Sequence, residues 1–470
     1  MNVGTPSDGH SVRSDDWATM RAFVAGRKAV LEGEAYLARL HGQDDESYKS
    51  YKARSYFLNA TQRSVDGMVG LLFRKAPATE WSAGFEPYAN DISRGGQSAA
   101  QFAEEIANEV MTTGLCGVLV DHPPQETPGV IAQARELGMR PYARLYTAES
   151  ILDVREAVRG ADRILSQVRL LEVSNEPDPD DEFGEIKKER VRVLALDDAG
   201  YYFVRLYEKM EGKGGASDWV MVQEPSYPLK NGQRMTEVPF RLFTKRGHDA
   251  TYPKPPLLDL AQSNCGHLND SALYQWGLMW TANPTPCFIN LSLDEGENVA
   301  LGSSKGLLFG EGGNAFFLEF GGQGLAAVRQ AMEDKRRDMA TLGARMLMED
   351  RKQVEAAETA QIHRSGENSI LAAIAASVSE GMEWVLASIA DWANVTTEIS
   401  FKINQDFVAV AMDGPTLTAL VGAWQGGALT MGDLFRTLQR GEVIADDKTL
   451  QTHEEELEAE TPVLPVADAA

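Results

Sequence analysis

Residues 256–347 constrain this chain more than any other stretch, because the hydrophobic period changes there and then changes back. Leu257, Leu260, Ala261, Cys265, Leu268, Leu273, Trp276 and Trp280 recur mostly every three or four residues, the spacing that collects side chains on one face of a helix. Pro255 and Pro256 suit the first turn of that helix, where a missing N–H costs nothing. Asn283-Pro284-Thr285-Pro286 stops it, since a residue before proline is pushed out of the helical region. From Pro284 to Gly324 the pattern becomes short apolar runs, Cys287-Phe288-Ile289, Gly306-Leu307-Leu308-Phe309 and Ala315 to Phe320, punctuated by Gly310, Gly312, Gly313, Gly321, Gly322 and Gly324. These read as short strands with turns. The helical period resumes from Leu325 to Leu347, with Val328, Met332, Met339, Leu342 and Met346 on one side. Two long helices bracketing a small β-module predict a stalk with a β-rich tip.

A polar run without an apolar stripe follows (Met348 to Glu367), then a strongly periodic helix through Ile370, Ile374, Val378, Met382, Val385, Ile389 and Trp392. Upstream, Asp15 to Leu40 and Tyr48 to Lys75 read as helical, and the first 14 residues read as polar and mobile until docked. Ser98 to Thr113 has Phe102, Ile106 and Val110 at four-residue spacing, with Gly114 as its cap and Leu115 to Val120 as a buried strand beyond. Strands are predicted at Ala143–Tyr146, Ile164–Val173, Val191–Leu196, Tyr201–Tyr207, Trp219–Gln223 and Phe240–Phe243, separated by turn signals such as Asp197-Asp198-Ala199-Gly200. Glu176 to Glu185 is an acidic hairpin tip or loop. Two more strands, Thr396–Ile403 and Phe407–Val410, are expected to return to this β-rich region. Helices are predicted after Asp413-Gly414-Pro415 and over Leu429 to Arg440, the second capped by Thr430 and stopped by Gly441. An acidic tail closes the chain.

The chain carries 45 Lys and Arg against 69 Asp and Glu, a net charge of −24. Such a surface repels nucleic acid unless local cations intervene. Its three cysteines, Cys116, Cys265 and Cys287, lack paired spacing and read as reduced core residues, which implies synthesis in a cytosol. No secretory signal is visible. No apolar run is expected to reach the roughly 20 residues of a membrane span, so no membrane is expected among the partners.

Chemistry is conspicuous by what is missing. No G-x-x-x-x-G-K-[ST] loop exists to cradle phosphates; Gly302 to Gly306 contains Lys305 without that spacing. Gly310 to Asn314 opens no helix, so it fails as a dinucleotide fingerprint. The seven histidines are scattered, with no HExxH and no G-x-S-x-G. Glu295 with Glu297, or Glu355 with Glu358, are pairs any acidic chain contains. The expectation is a protein that is no enzyme, with no catalytic residue, no metal and no cofactor.

The order helix, β-module, helix, polar loop, long helix, strand pair and helical C-terminus resembles the portal proteins of tailed bacteriophages, head-to-tail connectors of the podovirus type. The texture around Glu355-Ala-Ala-Glu-Thr-Ala-Gln-Ile-His-Arg and its alanine-rich helix, and the run TTGLCGVLVD, carry the likeness over residues 50 to 450. The fold class this implies is α+β and portal-like: an antiparallel β-rich wing, long stem helices, a small β-rich clip and a helical C-terminal crown. In those terms residues 1–47 are an N-terminal helical arm and 48–255 the wing. Residues 256–283 and 325–347 are the stem helices around a clip at 284–324. Residues 348–367 are a tunnel loop, 368–412 the long wing helix with returning strands, and 413–470 the crown and acidic tail.

The resemblance further implies a ring of identical chains, a dodecamer, at one capsid vertex of the virion, through which double-stranded DNA is packaged and ejected without sequence readout. Terminase, adaptor and tail proteins, and the major capsid and scaffold proteins are the implied partners. Arg351, Lys352, Gln353, His363 and Arg364 would face the DNA from the tunnel loop, where cations touch phosphates without reading bases; a frayed helix end with solvated charges is the alternative. Lys305, Asp294, Glu295 and Glu297 would serve partner docking at the clip. Trp276, Trp280, Met332 and Met339 would pack between stems of neighbouring subunits, although paired tryptophans are ordinarily core anchors. A non-portal structural protein of the tail or baseplate is the alternative reading.

Overall fold

The computed structural model of the chain describes residues 2–123, 139–179, 181–211, 217–245, 247–283, 285–291, 309–318, 321–344, 357–405, 414–441, 443–444 and 448–460. They form an α+β architecture with antiparallel sheets and long helices, as the sequence predicts. Two compact units divide the chain, Met1–Asn404 and Gln405–Ala470.

In the first unit, the largest sheet is a five-stranded antiparallel meander whose spatial order follows the chain: Ile151–Arg159, Asp162–Pro177, Glu185–Leu196, Tyr202–Glu211 and Ser217–Ser226. Short turns leave each strand no neighbour but the last one made. One face contributes Val168, Leu170, Leu194 and Val204 to a core with Trp17, Tyr146, Phe240 and Leu242. The other face buries Val191, Val193 and Phe203 with Leu152. The first strand escaped the sequence reading because Asp153-Val-Arg-Glu-Ala-Val-Arg has no apolar alternation; pairing with residues 162–170 makes it a strand.

Beyond this buried half, the sheet is held by ions rather than by packing. Arg192 meets Glu172 at 2.8 Å, Arg190 meets Glu208 at 2.8 Å, and Lys188 meets Glu176 at 2.8 Å. The acidic tip closes through Asp178 N to Gly184 O and Gly184 N to Asp181 O.

A three-stranded sheet orders Phe240–Thr244, Leu115–Asp121 and Tyr142–Thr147. Ser98 starts the preceding helix, Ala99–Thr113, through a reciprocal capping box with Gln101. Gly114 ends it at φ 82°, a left-handed position where a β-carbon would also lie 3.2 Å from the Lys254 carbonyl oxygen. The long helix Ala357–Trp392 packs on this sheet and helix, burying Ile374, Val378, Met382, Val385 and Ile389. Ser377 Oγ donates to Thr244 O at 2.8 Å. Its segment Ile370–Trp392 is, against expectation, long and apolar enough to cross a membrane (mean hydropathy 1.4), but 56% of it is buried inside the protein, as in a core helix.

Two further expectations take a specific form. Residues 2–14 are docked: Ser7 caps a helix at Asp8–Ala25, and residues 2–7 are strapped onto the large sheet. Arg169, buried and paired with Asp153 at 3.1 Å, has donors left over, and it gives them to Val3 O and Thr5 O at 2.8 Å each. The returning strand is short, Ser400–Lys402, and pairs with Ala78–Glu80 in a separate two-stranded ribbon; Phe407–Val410 lies outside the described residues.

The second unit contains the helices Gly414–Gln425, Met431–Arg440 and Leu450–Glu460. Thr430 and Asp433 form the capping box of the middle helix. Its Phe435 and Leu434 are buried, with Phe435 5.2 Å from the His453 ring.

Candidate functional site

The outgoing helix of the stalk, Leu258–Ala282, has two different halves. Its root lies against the first unit's helices, burying Leu258, Leu260, Ala261, Asn264, His267, Leu268, Ser271 and Ala272. Polar side chains on that face are matched to free backbone carbonyls. Asn264 Nδ2 donates to Leu58 O at 3.0 Å, Ser271 Oγ to Tyr56 O at 2.8 Å, and Asn269 Nδ2 to Tyr36 O at 2.8 Å. Tyr48–Lys75, read as one helical region, is in fact two helices, Asp45–Arg54 and Ala60–Leu72. The non-helical break between them is what frees the Tyr56 and Leu58 carbonyls as acceptors.

Past Ala272 no residue of the helix is buried. Leu273 is 41% exposed and Trp280 49%. The return helix, Gln323–Met339, buries only Met339. Two close approaches mark the pair along its length. Gly277 lets Leu325 approach so closely that a β-carbon would sit 2.5 Å from Leu325 Cδ2, and Lys335 Nζ reaches Asp270 Oδ2 at 2.6 Å. The return helix stops short of the predicted Leu347: a π turn, Ala340–Ala344, follows Met339, and Gly343 sits at φ 121°.

At the tip, Thr285–Leu291 pairs antiparallel with Phe309–Leu318, with a register shift between Ile289 and Leu291. Among the described residues no other element covers either face of this pair of strands, although Phe288 and Phe309 stack on one another. Ile289, Phe316, Phe317 and Leu318 are 45 to 61% exposed. A lone two-stranded ribbon is marginal in water, and apolar side chains clustered on one mark a contact surface.

The predicted site residues divide three ways. Trp276 is half-buried, its ring 5.8 Å from Tyr51 and 6.2 Å from Trp280, both edge-to-face; burial pushes the Tyr51 hydroxyl up to about 12. Trp280 and Met332 remain at least partly exposed on the stalk. Met339 is a correction: it is 1% exposed and packs with Ala60 and Leu260 of its own chain, so it has no surface left for a neighbour. Arg351, Lys352 and Gln353, and Lys305, Asp294, Glu295 and Glu297, lie outside the described residues. His363 and Arg364 belong to the first turns of the long helix, which begins at Ala357; their side chains too lie outside the described residues. Residues 357–367 are therefore helical where the sequence suggested a loop. A polar composition without an apolar stripe is compatible with either.

Sequence reading missed Phe316, Phe317 and Leu318 as candidates. The signal was present, since Ala315-Phe-Phe-Leu-Glu-Phe does not alternate and a strand that does not alternate shows apolar side chains on both faces. Among the described residues there is no cluster of three or more metal-ligating side chains.

Comparisons with known proteins add three findings. The profile of a family described as a domain of unknown function, DUF4055, matches residues 256–393, which span the stalk, the tip and most of the long helix. No curated protein matches the chain. Among solved structures, one chain from the virion of a native gene transfer agent particle aligns at 13% identity over 88% of this chain and 95% of that one, with TM-score 0.39. A chain from the neck of the empty particle, computed with C6 symmetry, aligns at 13% identity over 86% and 96%, with TM-score 0.40. One from the neck of the native particle, computed with C12 symmetry, aligns at 14% over 81% and 89%, with TM-score 0.40.

Proposed function

We propose that this chain is a portal subunit, copies of which close into a ring at one vertex of a bacteriophage capsid and form the conduit for double-stranded DNA. The observation that carries this reading is the contrast within the outgoing helix. Its root is buried and hydrogen-bonded, while its outer half, the return helix and the hairpin leave Leu273, Trp280, Phe316, Phe317 and Leu318 in water. Identical neighbours on either side would cover those side chains, and a heterologous contact repeated with the right rotation closes into a ring.

The mechanism is non-covalent, with no catalytic step. Helix pairs side by side make a stiff tube. A wall from a chain of net charge −24 repels phosphates, so DNA passes without sticking. Arg351, Lys352 and Arg364 supply the local exception, touching phosphates to resist backward sliding. The exposed hairpins form a rim for terminase during packaging and for adaptor proteins afterwards, and the β-rich region faces capsid and scaffold proteins.

The test replaces Arg351, Lys352 and Arg364 together with alanine. Particles should assemble normally but retain less DNA. Unchanged DNA content would remove these cations from the mechanism.

A further inference from the structure

The root of the stalk contains a histidine that the assembly reading does not use. His267 is 2% exposed, and neither ring nitrogen has a hydrogen-bond partner among the described residues. One turn earlier on the same helix, Asn264 is 1% exposed, and its Oδ1 is likewise unpartnered. A buried imidazole without partners is stable only as the neutral ring.

Its charged surroundings reinforce this. On its own helix Asp270 favours the cation, but Asp270 is already held by Lys335 at 2.6 Å. On the return helix Arg336 and Lys335 both disfavour it. From the helix Asp45–Arg54, the titratable group beside Asp270 is Tyr51, which burial keeps protonated to about pH 12. From residues 56–61 the groups presented are the backbone carbonyls of Tyr56 and Leu58 and the hydroxyl of Thr61, none of which titrates.

We infer that His267 is an acid-sensitive latch: uncharged, it lets the stalk root close, and protonation drives the root open so that the ring can reach water. The direction follows from the burial, which lowers the histidine from its ordinary 6.5 to about 4, with Arg336 adding to the effect. A histidine depressed in the closed form contributes its full stability above pH 6.5. That contribution falls as pH drops from 6.5 toward 4, because the open form takes up a proton that the closed form refuses. Over that window the opening equilibrium of the root should rise by up to about tenfold per pH unit.

Hydrogen exchange of amides 260–275, corrected for intrinsic rates, should show protection falling between pH 7 and pH 5 in the native protein, while amides of the sheet 185–196 stay protected. His267→Gln keeps a polar group of similar size but cannot be charged in this range, and should flatten the pH dependence at 260–275. His267→Leu should flatten it too, and it controls for any loss of closure in the glutamine variant. Equal pH dependence in the native protein and either variant would overturn the inference, as would an NMR titration placing His267 near 6.5 in the closed form.

Discussion

The five-stranded sheet and the tip hairpin are both antiparallel ribbons, yet they solve the same problem differently. In the sheet, the buried half sets Val168, Leu170 and Leu194 on one face and Val191 and Val193 on the other, each under its own cover. Where cover runs out, the exposed half carries the ion rungs Arg190–Glu208 and Lys188–Glu176. In the tip, cover also runs out, but Phe316, Phe317 and Leu318 stand where the sheet would place charges. Uncovered strands normally carry charges that discourage pairing with other chains. The sheet's exposed half sets its own exposed apolar side chains, Val173, Ile186, Met210 and Val220 among them, beside ion rungs, and the tip shows no such rung among its described residues. The same division runs along the outgoing helix, at Ala272.

Substitutions in the two regions should separate along that line. The largest effect is expected for Trp17→Ala, which empties a fully buried site in the sheet's core and removes a 3.0 Å hydrogen bond to Thr113 O. Denaturant unfolding should show a loss of about 3–5 kcal/mol. Arg169→Met comes next. It removes one of Asp153's two arginine partners, Arg155 remaining at 2.9 Å, and releases the carbonyls of Val3 and Thr5. A loss of about 2 kcal/mol is expected, with proteolysis of the N-terminal strap well before global unfolding.

Acid should act on the sheet through Glu172. Burial works against its charge, but Arg192 and Arg144 more than offset this and hold its pKa below the ordinary carboxylate value. Its contribution is thus complete above pH 4.5 and lost as pH falls below that value. Glu172→Gln should lower stability at pH 7 and flatten the acid limb of a stability–pH curve. The smallest change in stability is predicted for Phe316→Ser with Phe317→Ser, about 0.5 kcal/mol, because both side chains are already about half exposed. The same pair should abolish or greatly weaken assembly, measured by sedimentation. A large loss of subunit stability with assembly intact would break the comparison.

Much of this division was legible in the residues. The stalk helices, the Gly114 cap and most of the meander follow from period and turn chemistry, because each is a local decision; Gly310, Gly312 and Gly313, read as turn punctuation, lie within the strand Phe309–Leu318. What escaped depended on distant partners. Ile151–Arg159 is a strand only because residues 162–170 pair with it. The first residues are ordered because Arg169, far along the chain, needs acceptors. Met339 looked like the other apolar residues of the return helix, and only the approach of Ala60 and Leu260 makes it core. For the same reason Trp276 and Trp280, one spacing apart, have different surroundings: Tyr51 partners the first, and the second faces water.

The claim on which the rest depends is that the stalk and tip are completed by identical neighbours. Single-particle images of the purified full-length protein test it most directly. The account predicts closed rings with a central channel wide enough for a DNA duplex, the helix pairs lining it and the hairpins at one mouth. Monomers at concentrations where the Phe316→Ser, Phe317→Ser variant behaves identically, or open filaments without a channel, would contradict it.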